Sequence, residues 1–210
     1  LLLCASAAGA VFNDVPQSHW AYSYVEKMTD EGIIQGRSKT VFAPEDMLTR
    51  AEFLTLLVRE QKLETASRQD GEAWWQPYYN AALANGLLEN GEWAASENTM
   101  SSPALRAEMA RLMERVLEKQ DRFASNRSAD FSDLESDTLT STDRSAIGHC
   151  AAAGFLKGYN DGSFRPFGSL TRAEAATVLA RLNAADALPE GAKVYDVKNS
   201  LVIAYRADYK

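Results

Sequence analysis

Two arginines, Arg50 and Arg172, stand in the same short sequence, Thr-Arg-Ala-Glu, 122 residues apart. An arginine in the first turn of a helix opposes the helix dipole, at a cost of about 0.3–1 kcal/mol. Beside the free amides of a helix N-terminus, however, it helps to form an anion site, and a guanidinium can bind a carboxylate through two hydrogen bonds. The pattern predicts that both arginines bind an acidic ligand. A salt bridge between structural repeats is the alternative.

The residues around each arginine predict where the helix starts. A Thr followed three residues later by Glu is a capping box: the Thr hydroxyl accepts a hydrogen bond from the N3 amide, and the Glu carboxylate accepts one from the Thr amide. We therefore assign a structural role, as helix caps, to Thr49, Glu52, Thr171 and Glu174.

A weaker copy of the motif, Leu105-Arg106-Ala107-Glu108, lies in the middle of the chain. Leucine replaces the capping threonine there. Ser102 and Pro103 offer an earlier helix start, with serine as the cap and proline in the first turn. Arg106 is therefore expected to lie deeper in its helix, and its site to be weakened.

The motif is part of a longer repeat. Gly-Ile-Ile-Gln-Gly (32–36) and Phe-Ala-Pro (42–44) recur, at the same offset of 122, as 154–158 and 164–166. In the middle third, Trp74–Tyr78 is aligned with Ser18–Tyr22, and Gly86 with Gly32, but Phe-x-Pro has no clear copy. Repeats of this length indicate stacked supersecondary units that share one core.

Each unit reads as helix, loop, helix. The first helix is predicted over Ser18–Glu31, stopped by Gly32, and the second after Thr49, with one apolar face. The predicted fold is all-α: three helix-loop-helix repeats in a pseudo-threefold spindle around a central three-helix bundle, with a short C-terminal β segment. The predicted divisions are a signal-peptide remnant (1–10), repeat one (11–66), a degenerate repeat two (67–120), repeat three (121–185) and a C-terminal extension or start of a further domain (186–210).

Composition narrows the class of protein. The 210 residues carry a net charge of −7, so nucleic acid is a poor partner. Residues 1–10 have the apolar run and the Ala-x-Ala match of a secretory signal, and no other apolar run approaches the length of a membrane helix. Cys150, in an alanine-rich helical stretch, is interpreted as a small buried core residue.

The combined spacing of Phe-x-Asp-Val, His-Trp-Ala, Gly-Ile-Ile-x-Gly, Phe-x-Pro and Leu-Thr-Arg-Ala-Glu resembles the S-layer homology family over residues 12–183. The resemblance is strong in repeats one and three and partial in repeat two. It implies a secreted module at a bacterial cell surface, whose inter-repeat grooves bind acidic, often pyruvylated, secondary cell-wall polysaccharide. It also implies a ligand-binding role for Arg50, Arg172, Trp20 and, with a weaker match, Arg106 and Trp74 or Trp75.

Two further observations concern these grooves. Lys157 stands where repeats one and two have Gln35 and Asn90, so a cation at that place is special to repeat three. Repeat three lacks His-Trp-Ala and has Ser141-Thr142-Asp143 in that region. A groove that requires an aromatic residue there is expected to be impaired.

The sequence indicates a binding module and no enzyme. The two histidines, His19 and His149, lie in different repeats, and there is no nucleophile elbow, zinc-protease motif or phosphate loop. No cofactor or metal is implied. The alternative function is a protein-interaction or self-assembly module that keeps the fold without binding sugar. Other surface proteins would then be its partners.

Overall fold

A computed structural model describes residues 12–120, 122, 128–186, 193–197 and 200–204, with side chains up to residue 183. Within this part the chain is mainly helical. The elements are α1 (Tyr22–Asp30), α2 (Arg50–Glu60), α3 (Gln76–Ala84), α4 (Glu97–Met100), α5 (Arg106–Lys119), α6 (Ser141–Ala152), α7 (Arg172–Asp186), β1 (Lys193–Val197) and β2 (Ser200–Ala204).

The first helix of each unit ends at a glycine. Gly32, Gly86 and Gly154 follow α1, α3 and α6 with φ of 71°, 61° and 84°. This left-handed conformation is open to glycine at little steric cost. At the other end, α1 begins at Tyr22 and not at Ser18 as predicted. The preceding residues form a turn in which the Ala21 amide donates to Nδ1 of His19 at 3.1 Å.

The glycine positions correct the alignment of the middle unit. Because α1 and α3 begin 54 residues apart, and so do their terminal glycines, Trp74 is the counterpart of Trp20 and not of Ser18. Trp75 then corresponds to the buried Ala21. By the same spacing, the counterpart of Lys157 in the middle unit is Glu89 and not Asn90.

The three units pack side by side in a closed ring, and each first helix contacts a helix of another unit. The first helix of each unit packs on the second helix of the preceding unit: α3 on α2, α6 on α5, and α1 on α7. The second helices α2, α5 and α7 carry nearly half of the described buried side chains. A single helix pair cannot bury its apolar face alone, so the docking of α1 on α7 closes the core.

Three short extended segments meet at the centre of the ring of units. Each of them immediately precedes one of the second helices in the sequence. The Leu48 amide donates to Leu170 O at 2.9 Å, the Leu170 amide to Ala104 O at 2.8 Å, and the Ala104 amide to Leu48 O at 2.9 Å. This ring of three hydrogen bonds relates the units by a pseudo-threefold axis. It also holds residues 102–105 extended, so that α5 cannot start at Pro103.

Aspartates brace the loops of the outer units. Oδ1 and Oδ2 of Asp14 accept the Phe42 and Ala43 amides at 2.9 and 2.7 Å. Asp133 does the same for Phe164 and Arg165 at 2.8 and 2.7 Å. These pairs hold Ala43 and Arg165 at positive φ, 60° and 58°. Each Phe-x-Pro loop is thereby fixed to the first residues of its own unit.

β1 and β2 pair as an antiparallel hairpin, as the sequence predicts for this region. Cys150 is fully buried, its Sγ lies 3.6 Å from Ala110 O, and burial raises the pKa of its thiol. The predicted signal segment 1–10 and the turn at 189–191 lie outside the described residues.

Candidate functional site

The three motif arginines occupy the same place, the first residue of α2, α5 and α7. Each reaches across an interface between units. Nε and Nη2 of Arg50 donate to Glu108 at 2.9 and 2.7 Å, and Nη1 of Arg106 donates to Glu174 at 2.7 Å. For Arg50 the alternative drawn from the sequence, a salt bridge between repeats, is therefore present, and Arg106 forms a salt bridge of the same kind. Their ligand-binding role stays a prediction.

Arg172 is held differently. Its Nε donates to Phe42 O at 2.9 Å and its Nη2 to Gln35 O at 2.6 Å. Its expected carboxylate partner, Glu52, accepts from Arg37 Nη1 at 2.9 Å. Burial lowers the pKa of Arg172, and the neighbouring charge of Arg37 lowers it further. This interface therefore places two guanidinium groups beside one glutamate.

The prediction that Arg106 lies deeper in its helix is wrong. It is the first residue of α5, and its Nε donates to Phe164 O at 2.8 Å, as Arg172 does to Phe42 O. The ring of extended segments, and not the Ser-Pro sequence, sets the helix start. The start of α5 differs from the starts of α2 and α7 in lacking a side-chain capping oxygen, because its N-cap residue is Leu105.

Both capping boxes predicted from the sequence form in the structure. The Glu52 amide donates to Thr49 Oγ1 at 3.2 Å, and the Thr49 amide donates to Glu52 Oε2 at 2.9 Å. Thr171 and Glu174 form the same pair of bonds at 3.2 and 3.0 Å. In α5 the Glu108 half persists, with Oε2 accepting the Leu105 amide at 2.9 Å. All three glutamates thus serve a helix end and an arginine together.

A cavity of about 200 Å³ opens at the interface that Arg106 crosses. It brings together three of the residues singled out from the sequence, which come from three different units: Trp20, Arg106 and Lys157. Arg50, Arg172 and Trp74 do not line it. The described residues that line it are Trp20, Arg106, Met109, Leu156, Lys157, Gly158, Tyr159, Glu174, Thr177, Val178 and Arg181.

Packing on three sides forms this cavity. The loop 156–159 follows the glycine turn after α6, and α7 supplies the facing wall. Trp20 comes from the turn before α1, which reaches the cavity because α1 packs on α7. Tyr159 donates its hydroxyl hydrogen to Glu174 Oε1 at 2.9 Å, so the carboxylate is fixed from two directions.

The tryptophans differ in exposure. Trp20 is 56% exposed and Trp74, its counterpart in the middle unit, is 46% exposed. Trp75 is buried, and its Nε1 donates to Glu97 at 3.1 Å. Of the two tryptophans that the sequence left open in the middle unit, Trp74 is exposed and Trp75 is buried.

Sequence reasoning missed Trp93, Tyr159 and Arg181. Trp93 is buried under the Arg50 guanidinium at 5.6 Å, and its Nε1 donates to Glu108 at 3.2 Å. No repeated sequence motif includes Trp93, because this part of the middle unit has α4 in place of the Phe-x-Pro element. Arg181 was detectable, since Arg59 precedes it by the repeat offset of 122.

The arrangement of the described His, Cys, Asp and Glu side chains bears on metal binding. Among the residues whose side chains are described, no group of three or more His, Cys, Asp or Glu is arranged to hold a metal ion. His149 lies 2.6 Å from Glu114, at the contact between α5 and α6. None of the helices in the described part of the chain is long and apolar enough to cross a membrane.

The fold and the cavity define a repeat-built helical binding module. Residues 11–54 and 136–176 match the sequence model of the S-layer homology domain. Both segments belong to this family, whose domains anchor S-layer proteins and surface enzymes to the bacterial cell wall. The middle unit lies outside the two matched segments, so its place in the repeat rests on its helices and on the ring of hydrogen bonds.

The relatives are much longer proteins. An endoglucanase of Bacillus sp. (strain KSM-635) is 28% identical over 178 residues, which are 81% of this chain and 18% of the relative. The S-layer protein sap of Bacillus anthracis is 25% identical over 84% of this chain and 22% of its own length. The surface-layer 125 kDa protein of Lysinibacillus sphaericus is 30% identical over 52% of this chain and 10% of its own length. The chain thus spans less than a quarter of each.

Proposed function

We propose that this chain is a secreted, non-catalytic anchoring module that binds an acidic polysaccharide of the cell wall in the cavity containing Trp20, Arg106 and Lys157. The observation that carries the proposal is the charge of the lining. The chain as a whole has a net charge of −7, yet the cavity contains three cationic side chains and one carboxylate. A local excess of positive charge in an acidic protein favours a discrete acidic ligand.

The shape of the cavity fits a sugar. An aromatic face packs against apolar ligand surface while its surroundings supply hydrogen bonds, and Trp20 presents such a face at the rim. Pockets for drug-sized ligands measure about 300–1,000 Å³, so about 200 Å³ suits one or two sugar units of a polymer that continues outside.

The pseudo-threefold axis suggests unequal sites. Trp74 and Arg172 occupy the places that correspond to Trp20 and Arg106, so the interface between units three and one is the second candidate. At the remaining interface Arg50 is bonded to Glu108 and covered by Trp93, and no tryptophan corresponds to Trp20. We therefore rank the Arg106 cavity first, the Arg172 interface second and the Arg50 interface last.

Co-sedimentation with sacculi tests this function. The fragment 11–210 is mixed with native sacculi and with sacculi stripped of secondary polymer by acid. Binding is expected only to native sacculi, and it should fall at least tenfold in Trp20→Ala. Phe167→Ala is the matched control, because Phe167 is an equally exposed aromatic (49%) outside the cavity lining. Equal binding to stripped sacculi would exclude the acidic polymer as the ligand.

A protein partner is the second candidate, favoured by one observation. Trp74 is exposed and does not line the cavity, and exposed aromatic side chains are enriched in protein interfaces. Soluble wall polysaccharide separates the two functions, since it competes with glycan binding and leaves a protein interface at Trp74 unaffected.

A further inference from the structure

Among the described residues that line the Arg106 cavity, the only carboxylate, Glu174, is already engaged. Glu174 Oε1 accepts from Arg106 Nη1 at 2.7 Å and from the Tyr159 hydroxyl at 2.9 Å, while Oε2 accepts the Thr171 amide at 3.0 Å. Glu174 therefore has three described donors, and Arg106 is the cation among them.

Every guanidinium nitrogen of Arg106 is also engaged. Its three guanidinium nitrogens donate to Phe164 O at 2.8 Å, to Glu174 at 2.7 Å and to Lys157 O at 3.2 Å. Its Cζ lies 4.6 Å from the centre of the Phe164 ring, and its side chain is 6% exposed. A ligand that took this guanidinium would have to break the contact between units two and three.

Arg181 is different. It lines the same cavity from α7, and its described partners are Phe155 O, 3.1 Å from Nη1, and the Tyr24 ring, whose centre is 5.9 Å from Cζ. None of the described carboxylates forms an ion pair with it. Its counterpart in unit two, Arg115, also donates to the loop carbonyl of its own unit, at 3.0 Å, but is paired with Glu92 at 2.6 Å.

We infer that Arg181, and not the motif residue Arg106, pairs with the acidic group of the ligand, while Arg106 is a positioning residue that fixes the cavity wall. This inference rests on the proposed function. It follows from the geometry: the same helix position carries a carboxylate partner in unit two, and in unit three it faces a cavity instead. A half-buried guanidinium without a protein carboxylate suits a carboxylate or phosphate supplied by the ligand.

Titration with two forms of one polymer tests the inference. The probes are the polysaccharide released from Bacillus sacculi by hydrofluoric acid and the same polysaccharide with its carboxyl groups reduced to alcohols. Wild type, Arg181→Gln, Arg181→Lys and the control Arg144→Gln are compared by calorimetry at 50 and 300 mM salt. Arg144 is an arginine of the same unit, on α6, outside the cavity lining.

Arg181→Gln is expected to bind the acidic polymer at least tenfold more weakly than wild type and to lose most of the salt dependence, because an ionic hydrogen bond is removed. It should bind the reduced polymer as wild type does. Arg181→Lys should recover part of the affinity, and Arg144→Gln should match wild type. Arg106→Gln should lower the melting temperature, which Arg181→Gln should leave nearly unchanged.

Three results would overturn the proposed function or the role of Arg181 separately. If wild type binds the acidic polymer, but Arg181→Gln binds it equally well with the same salt dependence, the role of Arg181 is wrong and the proposed function stands. If wild type binds neither polymer, the proposed function is wrong, and the role of Arg181 that rests on it is wrong as well. A loss of affinity for both polymers to the same extent would assign Arg181 to cavity shape and contradict the charge pairing.

Discussion

Arg50 donates two hydrogen bonds to Glu108, 58 residues further along the chain, through Nε at 2.9 Å and Nη2 at 2.7 Å. Glu108 also accepts the amide of Leu105 at the start of α5. One carboxylate therefore starts the second helix of unit two and ties it to unit one. This dual use explains why arginine and glutamate recur together in a motif whose glutamate alone suffices for capping.

Replacement of Glu108 is expected to destabilise the whole fold. Glu108→Gln removes the charge opposite Arg50 in a largely buried pair, and breaking such a pair costs about 3 kcal/mol or more. Urea denaturation followed by circular dichroism measures the loss. Glu135→Gln is the control, because Glu135 is 83% exposed where it meets Arg144, and exposed pairs contribute little. Similar losses in both variants would contradict the structural role of the pair.

The capping threonine of unit one can be tested alone. Thr49→Ala removes the oxygen that accepts the Glu52 amide and is expected to lower the free energy of unfolding by about 1 kcal/mol. Thr40→Ala, at an exposed loop position, is the comparison and should be close to neutral. The two variants are compared by their urea midpoints. An effect of Thr40→Ala as large as that of Thr49→Ala would show that the cap contributes nothing measurable.

Stability is expected to fall in acid, partly through Asp14. Burial raises the pKa of this carboxyl, but the hydrogen bonds from the Phe42 and Ala43 amides outweigh burial and hold the pKa below its usual value. A carboxyl whose pKa is lower in the folded state stabilises the fold above its unfolded pKa of about 3.9. That stabilisation is lost as the pH falls through the folded pKa.

Asp14→Asn removes this titration. The variant should be less stable than wild type at pH 7, and the difference should narrow as the pH falls from about 5 to 2, where the wild-type carboxyl takes up a proton. Urea midpoints at several pH values measure the difference. A difference that stays constant over this range would exclude Asp14 as a contributor to acid sensitivity.

Gly158 is required by the space around it. A Cβ at this position would lie 2.4 Å from a Phe131 ring carbon and 2.6 Å from Ser163 O. Gly158→Ala is therefore expected to cost about 3 kcal/mol, the upper range for overpacking. Gly162→Ala, at φ of 80° with no atom within 4 Å, should cost about 1 kcal/mol through backbone strain alone. Thermal denaturation distinguishes the two, and a reversed order would contradict the close packing.

Two tryptophans should separate stability from binding. Trp75 is 3% exposed, and Trp75→Ala is expected to cost about 3–5 kcal/mol in unfolding free energy. Trp20→Ala, at 56% exposure, should leave the melting temperature nearly unchanged while reducing retention on sacculi. Loss of stability in Trp20→Ala comparable to that in Trp75→Ala would assign Trp20 to the core and remove it from the proposed site.

The amino-acid sequence by itself determined the repeat of the two outer units, the glycines that end their first helices and the caps of α2 and α7. Gly32 and Gly154 mark helix ends because their left-handed conformation strongly favours glycine, and Thr49 and Glu52 form a cap because their spacing is fixed within one helical turn. These are local relationships within a few residues of each other. The apolar faces of the second helices likewise predicted the central core.

The tertiary structure alone decided which residues meet across the units. The docking of α1 on α7 brings Trp20 to Lys157, 137 residues away, and no local pattern specifies that exchange of partners. The start of α5 at Arg106 depends on the Leu48 carbonyl and the other members of the axial ring, so the Ser-Pro signal at 102–103 was misleading. Whether an arginine is bonded to a glutamate or faces a cavity depends on a neighbour from another unit, as Arg50 and Arg181 show.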